Sequence, residues 1–526
     1  MRPRLREDFL GKIGRRIAVA RHAVAPQRNP GVVTLKEFVG EGRPAGRPTV
    51  FLILRHQLFV GKSGHYKLEY TLAGAFSTVN NYDNSPGPTE QKSLTPMTLS
   101  SEQIAKLRRK VAWRILPITI LLYLVAYLDR ANVGFAKLRM AKDLGFSEEV
   151  FGLGIGIFFI GYLLLEIPGA LLVERWSARK WFARILITWG LLSAATAFVR
   201  TPLEFNLARF FLGVAEAGFF PGIIVFFTHW FPMRDRARAM SGFIVAVPFS
   251  MALGAPISAL LLDVTWFDMA GWQWLFILEG LPAVVLGVVT LFVFTDRPRD
   301  AKWLTQDERD WLEGTLAAEA ATKEAVQKVS VAQALRLRNV WLLALGIFAT
   351  NTGGYALGFW LPTTVKSLSG GSDRASLFFS GLFYLFGVVG VLYAGFSSDK
   401  HGDRKWHCVA GQVATGVFLA ASAVPGQPFW LVMIWLCLTG LVAYSWPPPF
   451  WALPTGTLTA SAAATAIGMI NIFANIAGYF GNHLFGWMKQ NGATDSASLF
   501  FLAGCYLLGG AIVSRVHIPQ PTRGSS

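Results

Sequence analysis

The sequence predicts an all-α polytopic membrane protein with twelve transmembrane helices in two pseudo-symmetric six-helix halves. Three observations carry this prediction. The 526-residue chain is 53% hydrophobic and only 15% charged, with a mean hydropathy of +0.41, whereas soluble domains carry about 25% charged residues. Apolar windows of roughly 18–25 residues, the length that crosses hydrocarbon, recur from Trp113 onward. One long charged connection divides these windows into two sets of six.

The predicted spans are joined by short connections, with one exception. That exception is 296–338, which is charged and predicted to be helical in its middle, LTQDERDWLEGTLAAEAATKEAV. The spans are predicted at 112–136, 150–172, 182–199, 203–228, 240–262, 273–295, 339–361, 375–397, 406–424, 429–450, 463–488 and 497–516.

Residues 1–96 differ in composition from the rest of the chain. They are rich in Arg, Gly and Pro, and Arg55 and His56 break their longest apolar run, TVFLILRHQLFV, which is too short to span a bilayer. Met97 opens a polar, basic lead-in to the first span. We therefore predict that 1–96 is a disordered extension or that the chain naturally starts at Met97. The remaining domains are a half at 97–295, a cytoplasmic loop at 296–338 and a half at 339–526.

The distribution of basic residues predicts the orientation. Lys and Arg are concentrated in KLRRK before the first span, RWSARK after the second, RDRAR after the fourth and DKHGDRK after the eighth, whereas the alternate connections carry far fewer. Since short cytoplasmic loops are enriched in Lys and Arg, both termini and 296–338 are predicted to be cytoplasmic. These loops also account for the net charge of +17 without nucleic acid as a partner.

Two of these loops match between the halves. ALLVERWSARK, from Ala170 to Lys180, aligns with GFSSDKHGDRK, from Gly395 to Lys405. An acid followed by bases recurs at the same place in each half and offers a charge latch to helix ends across the halves. The predicted gating-loop residues are Glu174, Arg175, Arg179, Asp399, Lys400, Gly402 and Arg404.

Enzyme classes find no support in the sequence. There is no HExxH, GxSxG or CxxC motif, and Cys408, Cys437 and Cys505 fall in or beside apolar segments. FVGKSG at 59–64 has the tail of a phosphate loop, but His56 stands where its first glycine belongs. The prediction is therefore no enzyme, no cofactor and no metal site.

Charges inside the first span point to function. In YLVAYLDRANVGF, Asp129 and Arg130 lie at least 16 residues into the predicted span, where each charge costs several kcal/mol. One alternative is that the helix ends there and the charges meet water. Successive helix residues point about 100° apart, so the two do not simply neutralise each other. Each is expected to need a partner elsewhere.

The fourth span supplies candidate partners. Arg209 and Glu216 are seven residues apart on one face. The four charges can cross-pair between the two helices. One interpretation is a purely architectural pin; the other is a proton-coupled anion site in which the charges face one another in a water-lined cavity.

Several motifs resemble the major facilitator superfamily. The paired loops resemble its signature loop, while LDRANVGFA, RFFLGVAEAGFFPG, WFPMRDRARA and GWQWLFILEGLPA resemble the anion:cation symporter family, especially its tartrate and phthalate permease-like branch. The resemblance covers about residues 100–520. It implies that Asp129 and Glu216 carry protons, and that Arg130 and Arg209 bind the anion.

The second half lacks comparable charges but carries amides and aromatic rings suited to hydroxyls and ring systems. The further predicted substrate-binding residues are Tyr127, Asn351, Tyr355 and Asn475, with Tyr384, Tyr444, Trp446 and Asn471 as additional candidates. Packing between helices is the alternative role for each. Glu166 and Glu279 lie near predicted span ends and are interpreted as structural.

Together these features predict proton-coupled uptake of an organic carboxylate, such as a tartrate-like, sugar-acid-like or aromatic acid, by alternating access. The expected location is the inner (plasma) membrane. The expected partners are a small organic anion, protons and the lipid bilayer, with the chain acting as a monomer. A facilitator or antiporter of the same anions, and a non-transporting sensor on the same fold, remain alternatives.

Overall fold

A capping box starts the first long helix of the protein, for which we describe a computed structural model. The structure describes residues 33–35, 53–60, 66–73, 99–324, 333, 335–401, 403–457 and 460–517. Ser100 Oγ accepts a hydrogen bond from the Gln103 backbone N–H at 3.2 Å, and Gln103 Oε1 accepts one from the Ser100 backbone N–H at 2.8 Å. This exchange satisfies two N–H groups that a helix start leaves unpaired.

Two units are distinguished along the chain, Met1–Leu94 and Thr95–Ser526. In the first unit the described residues form an antiparallel sheet of β1 (Val33–Leu35), β2 (Ile53–Val60) and β3 (Tyr66–Ala73) in the order β1-β2-β3. Most of residues 1–96 lie outside the described residues, as does Met97, and the hypothesis about this extension stays a prediction.

The second unit is built from helices. Their bounds are α1 Ser101–Leu144, α2 Glu148–Arg175, α3 Ala178–Thr196, α4 Pro202–Glu216, α5 Phe219–Trp230, α6 Met233–Ile244, α7 Ala246–Leu261, α8 Gly271–Val293, α9 Gln306–Glu324, α10 Arg338–Ser369, α11 Asp373–His401, α12 Arg404–Ser422, α13 Phe429–Ala443, α14 Pro447–Thr457, α15 Ala460–Gln490 and α16 Asp495–Val513.

Each predicted span corresponds to one helix or to two consecutive helices. Nine of these segments in the described part of the chain are long and apolar enough to cross a membrane. The others, α3, α12 and α15, occupy the positions of the third, ninth and eleventh predicted spans. The predicted twelve-span membrane fold is confirmed, and α9 confirms a helix within 296–338.

Packing between helices repeats from one half to the other. Within the halves, α3 packs against α8 and α12 packs against α16. Between the halves, α2 packs against α15 and α7 packs against α11. In span numbers these pairs are 3 with 6, 9 with 12, 2 with 11 and 5 with 8, which is the pattern that a repeated six-helix unit produces. Spans 1 and 7, that is α1 and α10, also contact each other in the centre.

Three predicted spans are interrupted. The fourth breaks between α4 and α5, the fifth between α6 and α7, and the tenth between α13 and α14. At the first break Gly218 has a φ of 83°, and a Cβ there would lie 2.7 Å from the Cα of Gly169. Only glycine combines this backbone conformation with such a close helix approach. The fourth predicted span is therefore formed by two helices with a break between them, and Pro202–Trp230 as a whole is long and apolar enough to cross a membrane.

Candidate functional site: a central cavity beside an arginine–glutamate pair

A cavity of about 250 Å³ lies between the two halves of the second unit. Both halves supply its walls, through α1, α2, α5, α6 and α7 on one side and α10, α11, α13, α14, α15 and α16 on the other. Its polar and aromatic lining includes Tyr123, Tyr127, Arg130, Tyr162, Glu166, Asn351, Tyr355, Tyr444, Trp446, Trp451, Asn471, Asn475 and Tyr506. A cavity with apolar walls and a few convergent polar groups is the usual form of a small-molecule site.

Five of the six predicted substrate-binding residues line this cavity. Tyr127 and Arg130 come from α1, Asn351 and Tyr355 from α10, and Asn475 from α15. The additional candidates Tyr444, Trp446 and Asn471 line it too, whereas Tyr384 is buried and donates to the Gly358 carbonyl at 2.8 Å. The fold therefore brings together predicted site residues that are more than 300 positions apart in the sequence.

Arg130 joins the cavity to the fourth span. Its guanidinium forms an ion pair with Glu216, the last residue of α4. The Arg130 side chain is 11% exposed and that of Glu216 is 2% exposed. The guanidinium carbon also lies 5.0 Å from the Tyr127 ring centroid and 5.3 Å from that of Phe158. These rings hold the planar cation in place while its edge stays open to the cavity.

Asp129 points away from this pair. Its carboxylate accepts hydrogen bonds from Trp189 Nε1 and Ser193 Oγ, both on α3. Asn132 Nδ2 donates to the same carboxylate at 3.0 Å. Because these donors are fully buried, the local network fixes Asp129 between α1 and α3. The helix continues to Leu144, so the alternative of a helix end at the charges is wrong.

Arg209 occupies a third environment. It is completely buried, and its guanidinium carbon lies 5.1 Å from the Phe158 centroid, so it shares that ring with Arg130. Its Nε and both terminal nitrogens have no hydrogen-bond partner among the described residues. The expectation that all four charges face one water-lined cavity needs correction, since only Arg130 is among the described residues that line it. The expected cross-pairing between spans one and four holds for Arg130 with Glu216.

Glu166 is the site residue that sequence reasoning missed. It lines the cavity and is 5% exposed. Asn475 Nδ2 donates to its Oε2 at 2.9 Å, and Asn471 Nδ2 donates to its Oε1. Its interpretation as a span-end residue failed because α2 runs on to Arg175. The available signal was a carboxylate inside the apolar run GYLLLEIPGALL.

Two helix breaks lie at equivalent places around the site. Glu216 ends α4 before the break in the fourth span, while Tyr444 and Trp446 lie between α13 and α14 in the tenth. Spans four and ten correspond to each other when the second half is aligned on the first. Interrupted helices in equivalent positions of two repeats are typical of transporter binding sites.

The first predicted gating loop contacts its own half and the start of the 296–338 connection. The Glu174 carboxylate lies 3.1 Å from His229 Nε2 and 3.7 Å from the Arg297 guanidinium. Within the described residues it forms no hydrogen bond or ion pair with the second half. The Arg179 backbone donates to Asp296 Oδ1 at 2.8 Å. Arg175 ends α2. The described contacts of this loop are therefore with the first half and the start of the 296–338 connection, and the expected latch across the halves is not formed by it in this structure.

The second gating loop is described in part. Lys400 is exposed near the end of α11, and Arg404 begins α12. Asp403 caps α12 by accepting from the Trp406 backbone at 3.1 Å. Gly402 and the side chain of Asp399 lie outside the described residues, and their predicted roles stay predictions.

The chain is similar in sequence and in fold to known transport proteins. A family model described as Major Facilitator Superfamily matches residues 119–482. The chain is 43% identical over 427 residues to an Agrobacterium vitis protein named a candidate tartrate transporter, covering 81% of this chain and 98% of the relative. It is 39% identical over 402 residues to the quinolone resistance transporter of Acinetobacter baumannii, covering 76% and 92%.

A third relative is the inner membrane transport protein RhmT of Escherichia coli (strain K12), 34% identical over 407 residues and covering 77% of this chain and 94% of the relative. Among solved structures, the inward open conformation of the xylose transporter XylE from E. coli matches with a TM-score of 0.62. That match covers 79% of this chain and 98% of the other at 17% identity, a likeness of fold.

Proposed function

Because the chain belongs to the major facilitator superfamily and is a multi-pass membrane transporter, not an enzyme, we propose that it takes up an organic carboxylate together with protons. We place it in the inner (plasma) membrane with both termini in the cytoplasm. The observation that carries the proposal is the Arg130–Glu216 ion pair at the edge of the central cavity.

The pair provides a direct exchange of partners. A guanidinium binds a carboxylate through two parallel hydrogen bonds, and the Arg130 Nε is buried without a hydrogen-bond partner among the described residues. A substrate carboxylate that enters the cavity competes with Glu216 for Arg130. Glu216, 2% exposed, then loses its counter-charge in a buried position, which favours its protonation. Anion binding and proton binding are coupled in this way.

Arg209 and Asp129 act behind the cavity wall in this proposal. Arg209 shares the Phe158 ring with Arg130, so its buried positive charge adds to the attraction for an anion and it becomes a ligand as the site closes. Asp129 is the second proton-coupling carboxylate. Its place in the α1–α3 network links its charge to the packing of α1, the helix that carries Arg130.

Side chains of the second half bind the remaining groups of the substrate. Asn351, Tyr355 and Asn475 face the cavity with amide and phenol groups, which bind hydroxyls and carboxylates. Trp446 and Trp451 supply flat apolar walls. The relative named a candidate tartrate transporter fits a hydroxylated dicarboxylate, and the aromatic walls also fit ring-bearing acids.

The direction of coupling follows from the membrane potential. Moving one elementary charge against 100 mV costs about 2.3 kcal/mol. Uptake of a monoanion against an inside-negative potential therefore needs a proton to cancel its charge, and uptake of a dianion needs two. Export would not need this help, so the buried carboxylates favour symport with protons into the cell.

The test is uptake of a panel of labelled carboxylates into proteoliposomes under an imposed pH gradient. We expect the wild type to accumulate at least one of the hydroxy dicarboxylates, sugar acids or aromatic acids. Arg209→Lys is expected to abolish uptake, because a lysine cannot replace a planar guanidinium. Glu216→Gln is expected to keep exchange of the anion while losing the response to the gradient.

Lys106→Gln is the matched control for these charge changes. Lys106 is 75% exposed, and within the described residues its ion-pair partner is the exposed Glu102 four positions earlier, so its loss should leave uptake at the wild-type level. Normal transport by Arg209→Lys would overturn its assignment as an anion ligand.

The same assay separates the alternatives. A facilitator moves the anion without responding to the pH gradient, whereas an antiporter requires a second anion inside the vesicle. A sensor binds ligand but shows no uptake. Since one relative is named a quinolone resistance transporter, the panel includes a quinolone, and its transport without that of any smaller carboxylate would overturn the proposed substrate class.

A further inference from the structure

We propose that Glu166 is the carboxylate of the cavity that takes up a proton from the water when the anion binds, and that this step frees an amide of α15 for the substrate. The inference rests on the proposed function, in which an anion and protons share the cavity. It adds a residue that neither the signature motifs nor the charge pattern assigns.

The geometry of Glu166 differs from that of the other buried acids. It lines the cavity directly, whereas Glu216 is reached through Arg130 and Asp129 is enclosed by α3. Both of its carboxylate oxygens are held by neutral donors, Asn471 and Asn475, which belong to the opposite half. Within the described residues Glu166 forms no ion pair. Its negative charge is therefore held by hydrogen bonds that can be exchanged for others.

An incoming anion changes the balance at this position. Arg130, the positive group in the same cavity lining, is engaged by Glu216 before the substrate enters. A substrate with one carboxylate on Arg130 and a second group reaching α15 brings negative charge beside Glu166. Like charges in one site disfavour their joint ionisation. Proton uptake by Glu166 removes the repulsion.

Protonation also changes which hydrogen bonds are available. An ionised carboxylate only accepts, while a protonated one has an O–H donor and a reduced capacity to accept. One of the two amides must then find another acceptor. Asn475 and Asn471 line the cavity, so a substrate hydroxyl or carboxylate is the acceptor within reach. A proton and a substrate contact are gained in one step.

Several titratable or charged groups near Glu166 affect how readily it binds a proton. They come from α1, from α2 itself and from α10; α15 contributes the two uncharged amides. The titratable or charged groups facing it are Arg130, Tyr127, Tyr162 and Tyr355, while Glu216 acts on it through its ion pair with Arg130. Of these only Arg130 is a cation, so its release from Glu216 and capture by the substrate is the event that Glu166 senses.

The experiment compares the gradient dependence of Glu166→Gln with that of the wild type in proteoliposomes, with the membrane potential held at zero. Each coupled proton adds about a factor of ten to the accumulation ratio per unit of pH gradient. We expect Glu166→Gln to accumulate about tenfold less substrate at a gradient of one unit. Exchange of labelled for unlabelled substrate should remain, because the glutamine imitates the protonated state.

Glu279→Gln is the matched control. Glu279 is also buried in the first half and accepts from Ser258 Oγ at 2.7 Å, but it is not among the described residues that line the cavity. It should keep the wild-type dependence on the gradient. A wild-type dependence in Glu166→Gln would overturn this inference alone, whereas a wild type that ignores the gradient would overturn proton coupling itself.

A second pair of variants covers the case in which Glu166→Gln does not fold. Asn471→Ala and Asn475→Ala each remove one donor from the carboxylate and keep the acid. Binding of the panel substrate in detergent, followed through the quenching of cavity tryptophans as pH is varied, should show a shifted pH midpoint in both. A midpoint equal to that of the wild type in both variants would overturn the inference.

Discussion

Arg139, near the end of α1, and Asp373, at the start of α11, form an ion pair across the two halves, with 3.2 Å between Arg139 Nε and Asp373 Oδ2. The same guanidinium pairs with Asp263 at 2.5 Å, and Asp263 pairs with Arg374 of the second half at 2.7 Å. We call these four residues the end latch. It lies at the predicted outer end of the molecule.

A buried lysine adds a further contact between the halves close to the end latch. Lys137 is 2% exposed, and its Nζ lies 3.7 Å from the centroid of Trp360, which belongs to the second half. Within the described residues, every ion pair between the halves belongs to the end latch. The halves are therefore tied together at one end of the cavity, as alternating access requires of each state in turn.

The first prediction concerns the strength of this latch. Arg139→Gln removes two ion pairs, each worth about 0.2–1 kcal/mol at a partly exposed position. We expect the ratio of outward-open to latched molecules to rise roughly fivefold, the equivalent of about 1 kcal/mol. The reporter is a thiol at Gly358→Cys, since Gly358 lines the cavity and a Cβ there meets nothing within 4 Å.

The measurement is the rate at which an impermeant thiol reagent labels this cysteine from the outer side. Lys106→Gln, which removes an exposed pair on α1 away from the latch, is the control and should label at the unmodified rate. Equal labelling of Arg139→Gln and the control would contradict a role for the latch in closing this end.

The second prediction is that the latch does not respond to pH between about 5 and 8. Hydrogen bonding from Arg139 holds the pKa of Asp263, in the connection between α7 and α8, below its usual value, which is about 3.9. Because the pKa of Asp263 is lower in the folded protein, its ion pairs stabilise the latch fully at any pH above the usual pKa. This stabilisation is lost only when the pH falls through the lowered pKa.

The measurement for this prediction is the labelling of Gly358→Cys in Arg139→Gln relative to the intact latch at each pH, a ratio that cancels the reactivity of the thiol itself. It should stay constant over the range from 5 to 8. A ratio that converges on one as pH falls from 7 to 5 would show that the latch titrates in this range and that proton coupling acts through it.

The sequence was sufficient for the fold and for half of the charge cluster. Length and hydropathy predict the spans, because hydrocarbon thickness fixes how many apolar residues a helix needs. A pairing of charges between the first and fourth spans was also expected, since buried charges require partners, and Arg130 with Glu216 provides it. The direction of Asp129 was not, because it depends on how α3 brings Trp189 and Ser193 against α1, and hydropathy carries no information on helix rotation.

Glu166 and the interrupted spans were missed for a related reason. An apolar window locates a span but not its ends, so Glu166 was interpreted as lying near a terminus although α2 continues for two further turns and more. The break after Glu216 depends on the close approach of Gly218 to Gly169, a tertiary contact between α2 and the fourth span. Gly218 is visible in the sequence, but its positive φ is not.

The third prediction tests whether Asp129 has a structural role in addition to its proposed proton role. Asp129→Asn replaces one acceptor oxygen by a donor, which then faces either the donor Trp189 Nε1 at the Oδ2 position or Ser193 Oγ and the donor Asn132 Nδ2 at the Oδ1 position. A buried polar group left without a partner costs about 1–3 kcal/mol. We expect a lower thermal unfolding midpoint in detergent. In the double variant with Trp189→Phe, the loss of stability should be smaller than the sum of the losses in the two single variants, because both changes break the same hydrogen-bond network.

Glu102→Gln is the control for this measurement. Glu102 is an exposed residue of the same helix, so its replacement should leave the midpoint nearly unchanged. An Asp129→Asn variant that unfolds at the wild-type temperature but has lost its dependence on the pH gradient would show that Asp129 carries protons without stabilising the α1–α3 contact.

The fourth prediction concerns Gly134, the glycine of LDRANVGFA. A Cβ at this position would lie 2.5 Å from the backbone carbonyl oxygen of Phe359, in the second half. Backbone cannot yield as a side-chain end can, so Gly134→Ala should separate α1 from α10 and cost roughly 1–3 kcal/mol. This contact lies beside the Lys137–Trp360 pair, and its loss should weaken closure of the same end.

We therefore expect Gly134→Ala to lower uptake and to raise outer-side labelling of Gly358→Cys together. Gly504→Ala is the matched control: it lies inside α16, and a Cβ there meets nothing within 4 Å. In that helix interior alanine should be neutral or stabilising by up to about 1 kcal/mol. If Gly134→Ala transported and labelled like Gly504→Ala, close packing of α1 on α10 would not be what closes this end of the cavity.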